Sequence, residues 1–282
     1  MSPDKTICMG SSVIQHGPLN NRAYLMSLAP ADYPDIVYEL EQLAKANKYT
    51  KVFVKVPESL SYAFTKAGYI TEARVPGYFK GREDALFMGL FLAQSRAKPD
   101  NADLLNKVME TAGNKTNSRP GSLQKFEVLR MKTAHAGKMA EVYSRVFDSY
   151  PFPIYDPDYL IRTMQNNVHY FGIKHGEHLA ALASAATDMK SLTAEMTDFA
   201  TLPQYCKMGM AGTLLDRMAR EAQKMGILTM YSIARATSFG INITFARAGW
   251  DFAGMLINNT HIAGKIESMN VWSQNTARMA II

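Results

Sequence analysis

The sequence predicts an α+β fold built on a mixed α/β sheet, and three observations carry that reading. Residues 168–174, 178–187 and 192–202 are apolar, strand-like runs separated only by the short polar turns HGE and DMKS, the pattern of antiparallel hairpins. The third run leads through a glycine-bearing loop into an amphipathic helix and then a strand at 228–234, a crossover unit. The N-terminal third carries a similar alternation, in which Lys66-Ala67-Gly68-Tyr69 is echoed by Arg247-Ala248-Gly249-Trp250.

In chain order, residues 24–28 form a short strand candidate. Asp32 can cap a helix, after which Ile36, Val37, Leu40, Leu43 and Ala44 fall on one helical face. Residues 51–56 alternate and are β-branched, so they read as a strand. A short helix at 59–66 ends at Gly68, and strands at 69–75 and 85–93 complete the first unit. Residues 97–122 become rich in Gly, Asn, Ser, Thr and Pro and read as a linker, with a short helix at 104–111. The expected division is therefore 1–96, a linker at 97–122, and 123–282.

The second unit starts with a strand at 125–132 and a helix at 136–147. The proline-rich PFPIYDP breaks the chain, and a helix follows to about residue 165. After the three hairpin strands, Met210, Leu214, Leu215, Met218, Ala222 and Met225 form the apolar stripe of a helix that Gly226 ends. A strand at 228–234, a helix at 238–247 closed by Gly249, and strands at 250–257 and 265–273 finish the chain. No period of 20–50 residues recurs throughout, so the echo between the two units reads as a partial duplication.

Composition excludes several classes. Of 282 residues, 47% are hydrophobic and 20% charged, which is a globular balance. The net charge of +6 is scattered, without a Lys/Arg-rich run, so nucleic acid is not expected and an anionic small molecule is the better match. Two cysteines, Cys8 and Cys206, exclude a disulfide scaffold and a thiolate-rich metal site, so no metal is expected. The opening MSPDKTICMGSSVIQHG lacks the pattern of a secretory signal, and the longest apolar stretch is too short for a membrane span. These features predict a soluble cytoplasmic protein.

The informative stretch is TDFATLPQYCKMGMAGTLL, residues 197–215. A strand runs into a loop with Gly209, Ala211 and Gly212 and then into a helix. The first helical N–H groups lack internal partners and the helix dipole favours negative charge there, which suits a pyrophosphate. A plain strand–helix turn reads the same way. Neither GxxxxGK[ST] nor GxGxxG is present.

With this loop, the element order and the Gly-Trp after the 238–247 helix, the chain resembles the GNAT acetyltransferases. Their R/Q-x-x-G-x-G/A loop maps to Cys206-x-x-Gly209-x-Ala211. The strings EMTDFATLPQY, IARATSFGIN, TFARAGW, NNTHIAGKIESMNVW, YTKVFVKVP and EARVPGYF are similar to the β-lysine N-acetyltransferases within that family, over nearly the whole chain. The resemblance implies a GNAT acyl-CoA N-acyltransferase fold with an N-terminal partial GNAT-like domain. It implies acetyl-CoA as co-substrate, β-lysine as acceptor and the compatible solute N6-acetyl-β-lysine as product. A lysine 2,3-aminomutase would supply the acceptor. The sequence leaves a homodimer open, and with it two alternatives: a GNAT acting on another small amine or amino acid, and an acyl-CoA-binding module without turnover.

The resemblance also assigns residues. Glu195 is the first candidate general base and Asp198 the second, as base or as partner of a substrate ammonium; a structural carboxylate is the competing reading. On simple alternation Thr193, Glu195, Thr197 and Phe199 share one face and Asp198 the other, unless a bulge intervenes. Backbone groups of Phe199, Ala200 and Thr201 would pair with the pantetheine arm like an added strand. Lys207, Met208, Gly209, Met210, Ala211 and Gly212 would hold the pyrophosphate. Ser238 and Asn242 would bond the CoA arm, with helix capping as the alternative. For the acceptor, Arg235 is the candidate for the carboxylate and Glu267 for the second ammonium, with Tyr231, Asn258 and Asn259 as further candidates. Two departures stand out. Cys206 replaces the usual Arg or Gln, and Phe245 stands where many GNATs carry a tyrosine acid.

Overall fold

The computed structural model describes residues 4–99, 101–116 and 126–276. Their strands form one mixed sheet. The first half contributes β1 (Lys5–Met9), β2 (Ser12–Gly17), β3 (Arg22–Ser27), α1 (Ile36–Ala46), β4 (Lys51–Pro57), α2 (Tyr62–Lys66), β5 (Ile70–Phe79) and β6 (Glu83–Phe91). Helix α3 (Ala102–Gly113) follows. The second half contributes β7 (Val128–Arg130), α4 (Ala136–Val146), α5 (Pro157–Gln165), β8 (Val168–His175), β9 (His178–Asp188), β10 (Thr193–Thr201), α6 (Met210–Lys224), β11 (Thr229–Arg235), α7 (Phe239–Arg247), β12 (Asp251–Ile262) and β13 (Lys265–Asn275).

The sheet order is β1-β2-β3-β4-β6-β5-β12-β13-β11-β10-β9-β8-β7. Read outward from the centre, the halves match. β5, β6, β4, β3, β2 and β1 correspond to β12, β13, β11, β10, β9 and β8, and each half has one parallel pair, β3 with β4 and β10 with β11. Each parallel pair is joined by a helix, α1 or α6, as a parallel crossover requires. α6 lays Met210, Leu214, Leu215, Met218 and Ala222 on the sheet, where they join a core with Phe245, Trp250 and Trp272.

The halves meet at β5 and β12, where Gly254 pairs with Ala73. Gly254 has φ +142, and a Cβ there would lie 2.2 Å from the Glu72 carbonyl oxygen, so only glycine permits this approach. Phe53, Val75, Tyr78 and Phe87 from the first half share a buried cluster with Tyr231, Leu256, Ile262 and Val271 from the second. Three buried cations of the first half also reach the β12 bulge, where its register with β13 shifts between Leu256 and Thr260. Lys51 Nζ donates to the Ile257 carbonyl at 2.7 Å, Arg96 Nε to that of Asn258, and Arg22 Nη1 to that of Asn259.

The structure departs from the sequence expectations in the first half. β1 and β2 lie before the first expected strand. β1 is a short edge strand whose apolar Ile7 and Met9 are only partly buried, and buried Ser12, Gln15 and His16 hide the alternation of β2. Asp32 does not cap α1; it accepts from Ser11 N at 2.9 Å and Ser12 Oγ at 2.6 Å, which ties the β1–β2 turn to the segment before α1. The short helix expected at 104–111 within the linker is α3, which buries Leu105, Val108 and Ala112 and packs on α7. Residues 117–122 of that linker lie outside the described residues.

Candidate active site

β10 and β11 pair only where Thr193, Ala194 and Glu195 face Thr229, Met230 and Tyr231. Beyond Glu195 the strands part. β10 keeps β9 on one side, β11 keeps β13, and a cavity of about 390 Å³ opens between them, lined there by Phe199, Ser232, Ile233, Ala234 and Arg235. The other walls come from Arg22, Tyr24, Phe53 and Lys55 of the first half, from Tyr150 in the break after α4, and from Asn259, Thr260 and Ile262 of β12.

A bulge decides which carboxylates face this cavity. The β9–β10 register shifts between Thr197 and Ala200, and Asp198 sits at φ +55. The extra residue breaks the alternation, so Glu195, Thr197, Asp198 and Phe199 all line the cavity. Glu195 Oε2 accepts from Tyr231 Oη at 2.9 Å, and Lys55 Nζ donates to that phenol oxygen at 3.3 Å. Burial raises the Glu195 pKa, against the opposing influence of Lys55 and the Tyr231 hydrogen bond. Asp198 accepts from Tyr150 Oη at 2.6 Å and Ser184 Oγ at 2.5 Å. Burial raises its pKa too, and those hydrogen bonds temper the shift. Burial works against the Lys55 ammonium, but the facing Tyr24, Tyr78 and Glu195 outweigh it and raise its pKa.

The loop before α6 turns through two left-handed residues, Lys207 at φ +68 and Gly209 at φ +82, the latter the N-cap. The Thr213 N–H returns to the Gly209 carbonyl at 3.2 Å, so the helical ladder begins there and the N–H groups of Met210, Ala211 and Gly212 precede it. A Cβ on Gly212 would meet nothing within 4 Å. Lys207 and Cys206 are exposed, while Met208 packs against the core below the helix. Phe199 meets Phe245 edge-on at 5.7 Å, and Phe245 is wholly buried, with Trp250 and Trp272 around it.

Several candidates are committed elsewhere. Asn242 is buried, donates to the Arg235 and Ser238 carbonyls, and accepts from Asn270 Nδ2 and Trp272 Nε1, so it has no free group for a CoA arm. Arg235 lines the cavity, but its Nε and Nη2 grip Glu267 at 3.0 and 2.8 Å, and Thr237 adds a third bond to that carboxylate. The two groups expected to take opposite substrate charges thus neutralise each other. Asn258 turns away at φ +43 and donates to the carbonyls of Arg96 and Lys98. Tyr231 is buried behind Glu195, to which it donates, and does not line the cavity. Ser238 stands at the α7 N-cap without a side-chain capping bond and lines the cavity, as does Asn259.

Arg22, Tyr24, Lys55 and Tyr150 were not anticipated. The signal for Lys55 was in KVFVKVP, where Lys51, Phe53 and Lys55 share one face of an otherwise apolar strand; lysines alternating inward mark a polar interior. Among the described residues no cluster of three or more His, Cys, Asp or Glu could hold a metal, and no helix is long and apolar enough to cross a membrane.

The Acetyltransferase (GNAT) family matches residues 138–249. A beta-lysine N(6)-acetyltransferase of Methanococcus maripaludis is 37% identical over 95% of this chain and 98% of its own length. A second protein of that name, from Methanosarcina mazei, is 27% identical over 85% of this chain and 96% of its own. Among solved structures, the ribosomal-protein-S18-alanine N-acetyltransferase from Escherichia coli covers 54% of this chain and 94% of its own, at 16% identity and a TM-score of 0.47. The chain therefore belongs to the GNAT family of acetyltransferases.

Proposed function

We propose that this enzyme transfers the acetyl group of acetyl-CoA to the N6 amine of β-lysine, giving N6-acetyl-β-lysine as a compatible solute. One observation carries the reading. Two half-buried carboxylates, Glu195 and Asp198, and two cations, Arg22 and Lys55, face a single cavity where β10 and β11 part. Such a cavity suits a small zwitterionic amine, and the relatives named for β-lysine run nearly the full length of this chain. The acceptor implies a lysine 2,3-aminomutase upstream.

The residues present fit acetyl-CoA. The left-handed turn at Gly209 and the open space at Gly212 let a pyrophosphate approach the N–H groups of Met210, Ala211 and Gly212, with Lys207 adding charge. The β10 edge at Phe199, Ala200 and Thr201 faces the gap and offers unpaired backbone groups to an extended arm. When bound, acetyl-CoA supplies an acetyl thioester. A lysine-type amine has a pKa near 10.4, so deprotonating it at neutral pH costs about 4–5 kcal/mol. Glu195, half-buried and with a raised pKa, is suited to accept that proton. Asp198, held by Tyr150 and Ser184, sets an anionic field at the bulge that guides the incoming ammonium.

Residues 1–96 are read as a partial GNAT-like domain that serves as acceptor wall, since they repeat the strand order but supply no glycine loop. The test is an acceptor screen with acetyl-CoA, following free-thiol release with β-lysine, α-lysine, ornithine and polyamines. Selective turnover of β-lysine is expected. Equal turnover of α-lysine would remove the acceptor assignment.

A further inference from the structure

Two polar groups in the cavity wall are buried without partners. Arg22, on β3, is 5% exposed. Both of its hydrogen bonds are donated by Nη1, to the Asn259 carbonyl and to Thr260 Oγ1 at 3.3 Å, while Nε is buried and unpaired. The neighbouring Arg96 differs, since Nε, Nη1 and Nη2 each donate, to the Asn258 carbonyl, Thr50 Oγ1 and the Asn20 carbonyl. Lys51 is paired with Glu72 at 2.7 Å. Of the three cations at the β12 bulge, only Arg22 lines the cavity and has donors left over. No carboxylate pairs with it among the described residues; Tyr24 and Phe53 face its guanidinium at 5.1 and 5.7 Å. The second group is Asn259, 1% exposed, whose Oδ1 is buried and unpartnered.

A buried cation beside neutral acceptors is poorly compensated, and a carboxylate ligand would complete it with two parallel bonds. A buried amide oxygen without a donor calls for an N–H ligand in the same way. The two needs lie side by side, because Arg22 is bonded to the backbone of Asn259 itself. We infer that Arg22 and the Asn259 carboxamide form the subsite for the charged end of the acceptor, Arg22 taking its carboxylate and Oδ1 accepting from its second ammonium. A β-amino acid carries those groups on carbons separated by a single methylene. The adjoining Tyr24 and Phe53 rings, 4.7 Å apart, offer apolar surface to the remaining methylenes. The assignment rests on the β-lysine reading above and names the residues that would impose it.

Three probes separate the contributions. β-Lysine carries all three charged groups, 6-aminohexanoate lacks the second amine, and pentane-1,4-diamine lacks the carboxylate. Each is titrated calorimetrically into protein saturated with CoA. Arg22→Gln is expected to weaken β-lysine and 6-aminohexanoate by about tenfold or more and the diamine by less than about twofold. Asn259→Leu is expected to weaken β-lysine and the diamine and to spare 6-aminohexanoate. Equal weakening of all three ligands by Arg22→Gln, or no weakening of any, would overturn the subsite. If Arg22→Gln fails to fold, judged by loss of the melting shift with CoA, Arg22→Lys and Asn259→Leu read the same contrast. Turnover by the parent enzyme is measured alongside. No turnover of β-lysine with the ligand contrast intact overturns the acceptor reading alone, and turnover without the contrast overturns the subsite alone.

Discussion

Tyr231 donates its phenol hydrogen to Glu195 Oε2 at 2.9 Å and receives a hydrogen bond from Lys55 Nζ at 3.3 Å on the same oxygen. A lysine from the first half of the chain is thereby joined through one phenol to the proposed base in the second. Burial raises the Glu195 pKa, and its carboxylate form, the one that accepts a proton, predominates only above that raised value. kcat/KM should therefore climb as pH rises through a point above the ordinary glutamate range. Glu195→Gln should lower kcat by roughly 100-fold or more and flatten that limb, as a pH–rate profile would record.

Lys55 opposes the rise in the Glu195 pKa. Lys55→Met should therefore move the acid limb to higher pH, by roughly one unit, with less effect on the KM for acetyl-CoA. An unmoved limb would detach Lys55 from the base.

Asp198 occupies a left-handed backbone position and holds Tyr150 and Ser184. Asparagine tolerates that conformation and keeps an acceptor oxygen, whereas alanine does neither. Asp198→Ala should cost about 2–3 kcal/mol in urea unfolding and Asp198→Asn about 1 kcal/mol or less. Equal losses would show that the bulge does not depend on this residue.

The Arg235–Glu267 pair has a pH signature. The Glu267 side chain is 3% exposed, and although burial pushes its pKa up, Arg235 and Thr237 outweigh that and hold it below the ordinary value. A depressed carboxylate pKa contributes stability above the unfolded-state value, lost as pH falls through the folded-state one. Arg235→Met should weaken this contribution and cost about 2–3 kcal/mol near neutral pH by leaving Glu267 with only the Thr237 hydrogen bond and the distant, exposed Lys265 ammonium; adding Glu267→Leu should recover much of the loss. Thermal melts of both variants between acid and neutral pH would check this.

Much of the second half was legible in the sequence. The hairpins from β8 to β10, the α6 stripe and the Gly249 stop follow from period and punctuation, and the structure places them within a residue or two of expectation. The β10 bulge was not legible, because nothing in TDFAT marks which residue will break the pairing, and so the facing of Asp198 was open. β2 was hidden by Ser12 and His16, which are buried through hydrogen bonds, and β1 by its mostly exposed residues. Arg235 and Glu267 illustrate a further limit. Residue type and strand position give two charges near a site, but only the fold reveals that they face each other. Conversely, Arg22 lies far from the loop motif in sequence and reaches the cavity only because the sheet continues across both halves.

That continuity bears on how the molecule comes apart. The carbonyls of Ile257, Asn258 and Asn259 each receive a side-chain cation from the first half, and all three cations are buried. Peeling one half away would strand a row of oxygens and take from the Glu72 carboxylate the Ile257 N–H that donates to it at 2.6 Å. Neither half can lose its structure while the other keeps its own, so heating should produce one calorimetric peak in place of two. The isolated stretch from residue 123 onward should therefore melt at a lower temperature than the whole chain. The first half thus braces the β12 segment that supplies Asn259 and Thr260 to the cavity wall.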